Sequence, residues 1–364
     1  MKILVTGGAG MIGSHAAMHW AHQGHQVTVL DNLARSRLFG VDRDSVEHTW
    51  HLLGQQAGIR LVLGDVRLAA DIEEALADGV DVVLHAAGQP GVGFSLRQPA
   101  EDFSINAFGT LQVLERVRQQ SPQAAVLFCS TNKVYGGNVN ALALRETPRR
   151  YALADGEAGV RESMPLDLTG HTPYGVSKLA ADLYVQEYAH AFGIRTGVFR
   201  MSCIYGTRQF GFEDQGWVAH FAISTILGRP ITIYGDGKQV RDVLFIDDLV
   251  RAFDAFLASA VPHAVLNLGG GPAHTTSLLE LLDLLEAQTG KRSPVTYAGW
   301  RPSDQKAYVS DITRARTMLG WEPQVPFVKG LTQMIAWVEH HRDLLDEPSG
   351  PMAVSEPVPR ALSA

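Results

Sequence analysis

Short apolar runs of strand length recur through residues 1–205, separated by stretches whose apolar positions follow helical spacing. The runs predict strands over 2–6, 26–31, 60–64, 80–84, 124–130 and 195–200, with helical patterns between them, most clearly at 102–120 and 174–192. Strands that alternate with helices pair in parallel, which predicts an α/β fold built on a doubly wound sheet. After Tyr205 the rhythm changes. Segments 206–240 and 271–342 read as shorter helices and strands, a smaller C-terminal substrate-binding α/β domain, with the chain returning to the first domain (1–205) over 241–270. Residues 343–364 are expected to form a disordered tail, since 346–364 hold four prolines and few large apolar groups. The long stretch 137–173, which includes Arg149, Arg150 and Tyr151, leads straight into a predicted helix, and so reads as a functional loop. No internal repeat is present.

The first predicted strand is followed at once by Gly7-Gly8-Ala9-Gly10-Met11-Ile12-Gly13 and a helix. Glycines at 7, 10 and 13 permit a tight turn, close approach of backbone to a pyrophosphate, and close packing of helix on strand. Eighteen residues beyond Gly13, the run Val27-Thr28-Val29-Leu30 ends in Asp31. A carboxylate there accepts hydrogen bonds from ribose hydroxyls and repels a 2′-phosphate, which favours NAD over NADP, with Arg35 and Arg37 close behind as opposing charges. Strand, glycines, helix and acid in this order are those of a Rossmann dinucleotide-binding domain. Asn32, Asp65, Val66, Ala86 and Ala87 follow other strand ends, where open α/β sheets bind ligands, and join Gly7, Gly10, Met11, Ile12, Gly13 and Asp31 as candidate cofactor residues.

Further along stands Tyr174-Gly175-Val176-Ser177-Lys178. On a helix, residues four apart share a face, with Cβ atoms about 5–6 Å apart. The Lys178 ammonium is therefore expected to favour the ionised Tyr174 phenol, lowering its pKa from about 10 toward working pH. A phenol so tuned can take a proton from an alcohol while hydride leaves the same carbon.

The 364 residues are long enough for two domains, with a net charge of −7 and 19% charged residues, so no basic surface argues for nucleic acid. Apolar stretches stop well short of membrane-spanning length, and the first strand starts too early to leave room for a signal peptide. Cys129 and Cys203 provide neither a disulfide framework nor a metal pattern, and the 14 histidines are scattered, so no metal is expected. A reducing cytoplasm fits this usage.

Taken together, these motifs resemble the extended short-chain dehydrogenase/reductase superfamily, specifically its NAD-dependent epimerases and dehydratases acting on sugar nucleotides. The resemblance spans about residues 1–340 and rests on Thr6–Gly13, Asp31-Asn32, Gly64-Asp65, His85–Gly88, Val134-Tyr135-Gly136, Tyr174–Lys178, Val240-Arg241-Asp242, Asn267–Gly271 and Arg301-Pro302-Ser303-Asp304. It implies a catalytic triad of Thr131, Tyr174 and Lys178, with the last two also on the cofactor. Dehydratases of the superfamily follow the hydroxyl residue with an Asp-Glu pair that eliminates water. Here Asn132 and Lys133 stand there, which leaves reversible oxidation and reduction. The segments Ser130–Gly136, Tyr205–Phe210, Asp214–Trp217, Gly237–Val243 and Ser303–Gln305 resemble the C2 epimerases of CDP-sugars (the CDP-paratose and CDP-tyvelose type). That resemblance implies transient oxidation to a keto-sugar and re-reduction on the opposite face, with tightly bound NAD. It also implies a nucleoside diphosphate sugar clamped by Arg241 and Arg301, contacts from Asp304 and Gln209, and Asn132 and Lys133 beside the keto intermediate. Two departures exist: Met11 replaces an aromatic residue, and Cys203 replaces the Asn or Ser that often faces the diphosphate. A UDP-hexose or UDP-uronate 4-epimerase, and a dinucleotide sensor without chemistry, remain as alternatives. Helices 102–120 and 174–192 resemble those that pair between subunits of the superfamily, implying a homodimer or homotetramer.

Overall fold

The computed structural model describes residues 1–40, 43–154, 159–301 and 304–345. The expected tail from 346 onward, and Pro302 and Ser303, lie outside them.

A seven-stranded sheet dominates the fold, in the order His263–Leu268, Thr196–Met201, Ala125–Thr131, Val82–His85, Lys2–Thr6, Gln26–Asp31, Ile59–Leu63, with every pairing parallel. Helices on both faces explain why the central strands read as unbroken apolar runs: Val82–His85 and Ala125–Thr131 are buried throughout. The chain order reverses between Lys2–Thr6 and Val82–His85, and the crevice past their carboxyl ends is where a doubly wound sheet takes its ligand. Gly7 turns there at φ +68°, and a Cβ on it would stand 2.5 Å from the Ala87 nitrogen. A Cβ on Gly13 would stand 2.4 Å from the Gly7 carbonyl oxygen, so both positions admit only glycine.

Two helices frame the far side of the crevice. Pro173–Phe192 begins with proline in its first turn and a Thr172 cap accepting from the Gly175 N–H at 3.3 Å, and it ends on Gly193 at φ +67°. The helix expected over 102–120 is built from Pro99–Phe103, a π-turn at Ser104–Phe108 and Gly109–Gln120. The loop expected at 137–173 is partly ordered by short 3₁₀ turns over Asn132–Ala141 and a hairpin of Leu144–Glu146 with Tyr151–Leu153.

A second, smaller unit pairs Val240–Phe245 with Cys203–Tyr205, Thr275–Ser277 and Ala307–Tyr308, and Ile231–Tyr234 with Val295–Ala298. Strand Val240–Phe245 thus belongs to this unit, and the return to the large sheet starts with helix Ile246–Ala258, not at 241. Asp254 on that helix explains the docking: it accepts from Trp20 Nε1 at 2.8 Å and lies 2.6 Å from His19 Nε2. Among the described residues no helix is long and apolar enough to cross a membrane.

The sheet and helix Pro173–Phe192 are joined by buried charge. Arg200 donates from Nε and Nη2 to Asp182, both at 3.0 Å, and Ser130 Oγ donates to the same carboxylate at 2.6 Å. Tyr135 lies 3.4 Å from Arg200 Nη1 and donates to Asn267 Oδ1 at 2.6 Å. Asp182→Asn leaves the guanidinium uncompensated and is expected to cost about 3–5 kcal/mol of unfolding free energy in urea titration. A cost below about 1 kcal/mol would show that Arg200 finds water instead.

Candidate active site

The crevice at the sheet's switch point is lined by Gly7, Gly10, Met11, Ile12, Gly13, Asp31, Asn32, Asp65, Val66, Ala86, Ala87, Tyr174 and Lys178, so all the candidate cofactor residues face one cleft. Asp31 accepts from the Ala9 N–H at 2.9 Å and the Leu33 N–H at 2.8 Å, an arrangement that turns the carboxylate toward the glycine loop. Burial raises its pKa, against the pull of those N–H groups. Asp65 is already engaged: Arg67 pairs with it at 2.7 Å and Asn32 Nδ2 donates to it at 2.9 Å. Arg35 donates to the Phe210 carbonyl and Arg37 stands 3.9 Å from Glu101, so both cations behind Asp31 have other partners. A close-packed glycine turn, a helix N-terminus and a carboxylate at the second strand's end fit a dinucleotide of the NAD type.

Thr131 ends the buried strand Ala125–Thr131, and Tyr174 and Lys178 lie in the first turns of Pro173–Phe192. Thr131 Oγ1 accepts from the Lys133 N–H at 3.2 Å, its hydroxyl donates to Asn132 Oδ1 at 3.4 Å, and it stands beside the Tyr174 phenol. In this pocket burial pushes the Tyr174 phenol up to about 12, opposed by the Thr131 hydroxyl and aided by the charge of Asp102. Lys178, also buried, is pulled down to about 8, and its Nζ lies 4.2 Å from the centre of the Phe128 ring. The expected lowering of the phenol by Lys178 is therefore not what the protein alone produces. Desolvation of the phenol is the largest cause, and the same burial lowers the pKa of the Lys178 ammonium.

Sequence reasoning missed the groups behind this pair. Asn106 Nδ2 lies 3.1 Å from Ser177 Oγ and 3.1 Å from Asp102 Oδ1, and its Oδ1 accepts from the Gln89 N–H at 2.8 Å. The available signal was a polar Asn on the apolar face of 102–120, which the π-turn rotates inward.

A second cleft holds Asn132, Lys133, Gly136, Cys203, Trp217, Tyr234, Arg241, Arg301, Asp304 and Gln305. The Lys133 side chain makes no hydrogen bond or ion pair among the described residues, and burial beside Arg241 pulls its ammonium down to about 8. Arg241 donates to Asp304 Oδ1 at 2.7 Å and to the Gln305 carbonyl at 2.7 Å. Arg301 lies 4.0 Å from the centre of the Tyr234 ring and 3.2 Å from Asp214. Trp217 Nε1 donates to Cys203 Sγ at 3.3 Å. Gln209 is placed apart from this group: it lines the dinucleotide cleft, with Nε2 donating to the Ile204 carbonyl at 3.1 Å. Gln239 and Gln305 line the second cleft with side-chain carbonyl oxygens that are buried and unpaired among the described residues, acceptors that call for donors on a ligand. Gln215 lines both clefts, which therefore meet at its side chain. No metal-holding cluster occurs among the described residues.

Residues 3–269 match the model of the NAD dependent epimerase/dehydratase family. The chain belongs to that family. Among its similar proteins is the CDP-paratose 2-epimerase of Salmonella typhi, 38% identical over 93% of this chain and 99% of that one. The UDP-glucuronate 4-epimerase of Thermodesulfobacterium geofontis is 28% identical over 94% of this chain and 97% of that one. Among solved structures, the UDP-glucose 4-epimerase of Thermus thermophilus in complex with NAD superposes at a TM-score of 0.77, with 30% identity over 93% of this chain and 99% of that one. Membership of the epimerase/dehydratase family makes the chain an NAD-dependent sugar-nucleotide enzyme, and the first cleft fits that cofactor.

The buried lysine of this family member carries a stability consequence. Its folded pKa of about 8 lies below the reference of 10.5, so the unfolded chain binds the extra proton between those values. The penalty is full below about pH 8 and fades as pH rises through 10.5. Lys178→Met is therefore expected to raise the melting temperature of NAD-free protein at pH 7, with the gain shrinking toward pH 10.5. A gain that stays constant over this range would mean that packing, not charge, sets the difference.

Proposed function

We propose that this protein inverts C2 of a CDP-sugar of the paratose/tyvelose type, with NAD regenerated in each turnover. The observation that carries the reading is the pair Asn132 and Lys133, set in the second cleft directly after Thr131, at the two positions where dehydratases of the superfamily carry the Asp-Glu pair that eliminates water. The 38% identity to a CDP-paratose 2-epimerase, against 28% to a UDP-uronate 4-epimerase, points the same way.

In this reading Tyr174 takes the proton of the reacting hydroxyl and returns it, and Thr131 hydrogen-bonds the same oxygen. Lys178 binds the nicotinamide ribose and supplies positive charge beside the phenol. Bound NAD supplies the reversible removal and return of the carbon-bound hydrogen. Arg241 and Arg301 clamp the diphosphate, for which Arg241 exchanges part of its contact with Asp304. Asn132 and Lys133 hold the keto-sugar while it turns over. The unpaired carbonyl oxygen of Gln305, at the same end of the cleft as Arg241, accepts from a sugar hydroxyl.

The second reading is a UDP-hexose or UDP-uronate 4-epimerase, favoured by the 4-epimerases among the relatives and solved structures. A dinucleotide sensor without chemistry would have no use for the Thr131, Tyr174 and Lys178 set. Exposed Phe103, Phe108, Val176, Leu183, Tyr184 and Phe192 on the two helices beside the crevice support assembly as a homodimer through those faces.

Incubation with CDP-, UDP- and GDP-sugars, read by NMR at C2 and C4, tests the assignment. The expected result is inversion at C2 of the CDP-sugar, with mass unchanged and no 4-keto-6-deoxy product. In the same assay Tyr174→Phe is expected to lose about 10²–10⁴-fold in rate while still binding nucleotide sugar. Inversion only at C4 of a UDP-sugar would establish the second reading.

A further inference from the structure

Arg208 stands on the segment 206–216 that crosses from the smaller unit over the dinucleotide cleft, and it lines that cleft with Gly10, Met11, Ile12 and Gly13. Its backbone is left-handed, φ +54°, a conformation that a long side chain rarely adopts. Nε donates to Ser14 Oγ at 3.2 Å, while among the described residues the two Nη groups make no hydrogen bond and no carboxylate lies within 4 Å. Burial pulls the guanidinium down to about 10, and only Asp247, acting from farther away, opposes it. The neighbouring His15 supplies no countercharge. Its Nδ1 faces the Met11 carbonyl at 2.8 Å and so carries the proton, and Nε2 accepts from Thr207 Oγ1 at 3.0 Å. Burial together with the Arg208 charge keeps that ring neutral, far down at about 3.

A half-buried guanidinium whose Nη groups have no partner among the described residues and a left-handed backbone are each unfavourable, and their coincidence at one cleft-facing residue calls for an anion from outside the chain. We infer that Arg208 is a ligand of the dinucleotide's pyrophosphate, held beside the glycine loop by its bond to Ser14. The N-terminus of helix Met11–His22 presents N–H groups to the same anion, so the phosphates would be held by backbone donors together with a guanidinium. The diphosphate of the sugar nucleotide is not the ligand, because Arg241 and Arg301 face the second cleft and Arg208 does not.

The placement has a further consequence. The same segment is tied on its other flank by the bond from Arg35 to the Phe210 carbonyl and by the Phe39 and Phe212 rings, 5.2 Å apart. It carries Gln215, which lines both clefts. A phosphate bound by Arg208 therefore secures the wall against which the sugar nucleotide rests. The inference depends on the family's use of NAD and not on which sugar carbon reacts.

Two measurements on the full-length protein test it. The first is the NAD retained per chain after purification and extended washing. The second is the rise in melting temperature brought by ADP-ribose, which carries the pyrophosphate, and by adenosine, which does not. Arg208→Gln is expected to weaken NAD and ADP-ribose binding roughly 10- to 100-fold and to leave the adenosine response unchanged. Arg208→Lys, which keeps the charge, should recover much of the ADP-ribose response. Wild-type retention of NAD in Arg208→Gln would overturn the inference. So would equal loss of the adenosine and ADP-ribose responses, which would mark Arg208 as a packing residue. Neither result would bear on C2 against C4.

Discussion

The arrangement of the candidate active site depends on the buried ion pair of Arg200 with Asp182. Its partners lie on different elements: Ser130 on the strand that ends in Thr131, Asp182 on the helix that carries Tyr174, and Tyr135 just past Thr131. The strand that bears Arg200 adds the fourth side, and Tyr135 passes the contact on to Asn267 in the outermost strand. Such a pair gains little over a well-packed apolar core, because two charges must be stripped of water. What it supplies is geometry, since bidentate hydrogen bonds fix angle as well as distance. With strand end and helix locked together, the Thr131 and Tyr174 hydroxyls meet without a flexible link between them.

The large sheet was legible because its strands are buried on both faces, and continuous apolar runs such as Ala125–Thr131 stand out from amphipathic helices. The glycine turn and Asp31 were legible for a different reason: steric demand and ribose chemistry restrict residue type at fixed spacing. Less legible was anything set by residues distant in sequence. From sequence, residues 241–245 read as the start of the return to the first domain, and only the pairing of Val240–Phe245 with Cys203–Tyr205 and Ala307–Tyr308 assigns the strand to the smaller unit. Gln209 shares a segment with Gln215, yet the left-handed turn at Arg208 directs Gln209 to the dinucleotide side. The charge state of Tyr174 depends on total burial, which a local Tyr-x-x-x-Lys spacing does not encode. Asn106 enters the site through a π-turn, a departure from the 3.6-residue period on which helical patterns are read.

The two clefts differ in what lines them. The dinucleotide cleft is formed by strand ends of the large sheet, rigid and closely packed, as the contact of Gly7 with Ala87 requires. The second cleft draws on the smaller unit and carries groups whose bonding is incomplete: the Lys133 ammonium without a partner among the described residues, and the carbonyl oxygens of Gln239 and Gln305. Unsatisfied acceptors of this kind are costly in the free protein and favour a ligand rich in hydroxyl and amino donors.

In the proposed epimerisation one carbon-bound hydrogen leaves the sugar and returns to it without entering solvent. Epimerisation run in ²H₂O, with ¹H NMR of the isolated product, tests this directly. The predicted result is full retention of hydrogen at the inverted carbon through many turnovers. Deuterium accumulating there would require enolisation instead, and would contradict the assignment of Tyr174 and Thr131 to an alcohol–ketone interconversion.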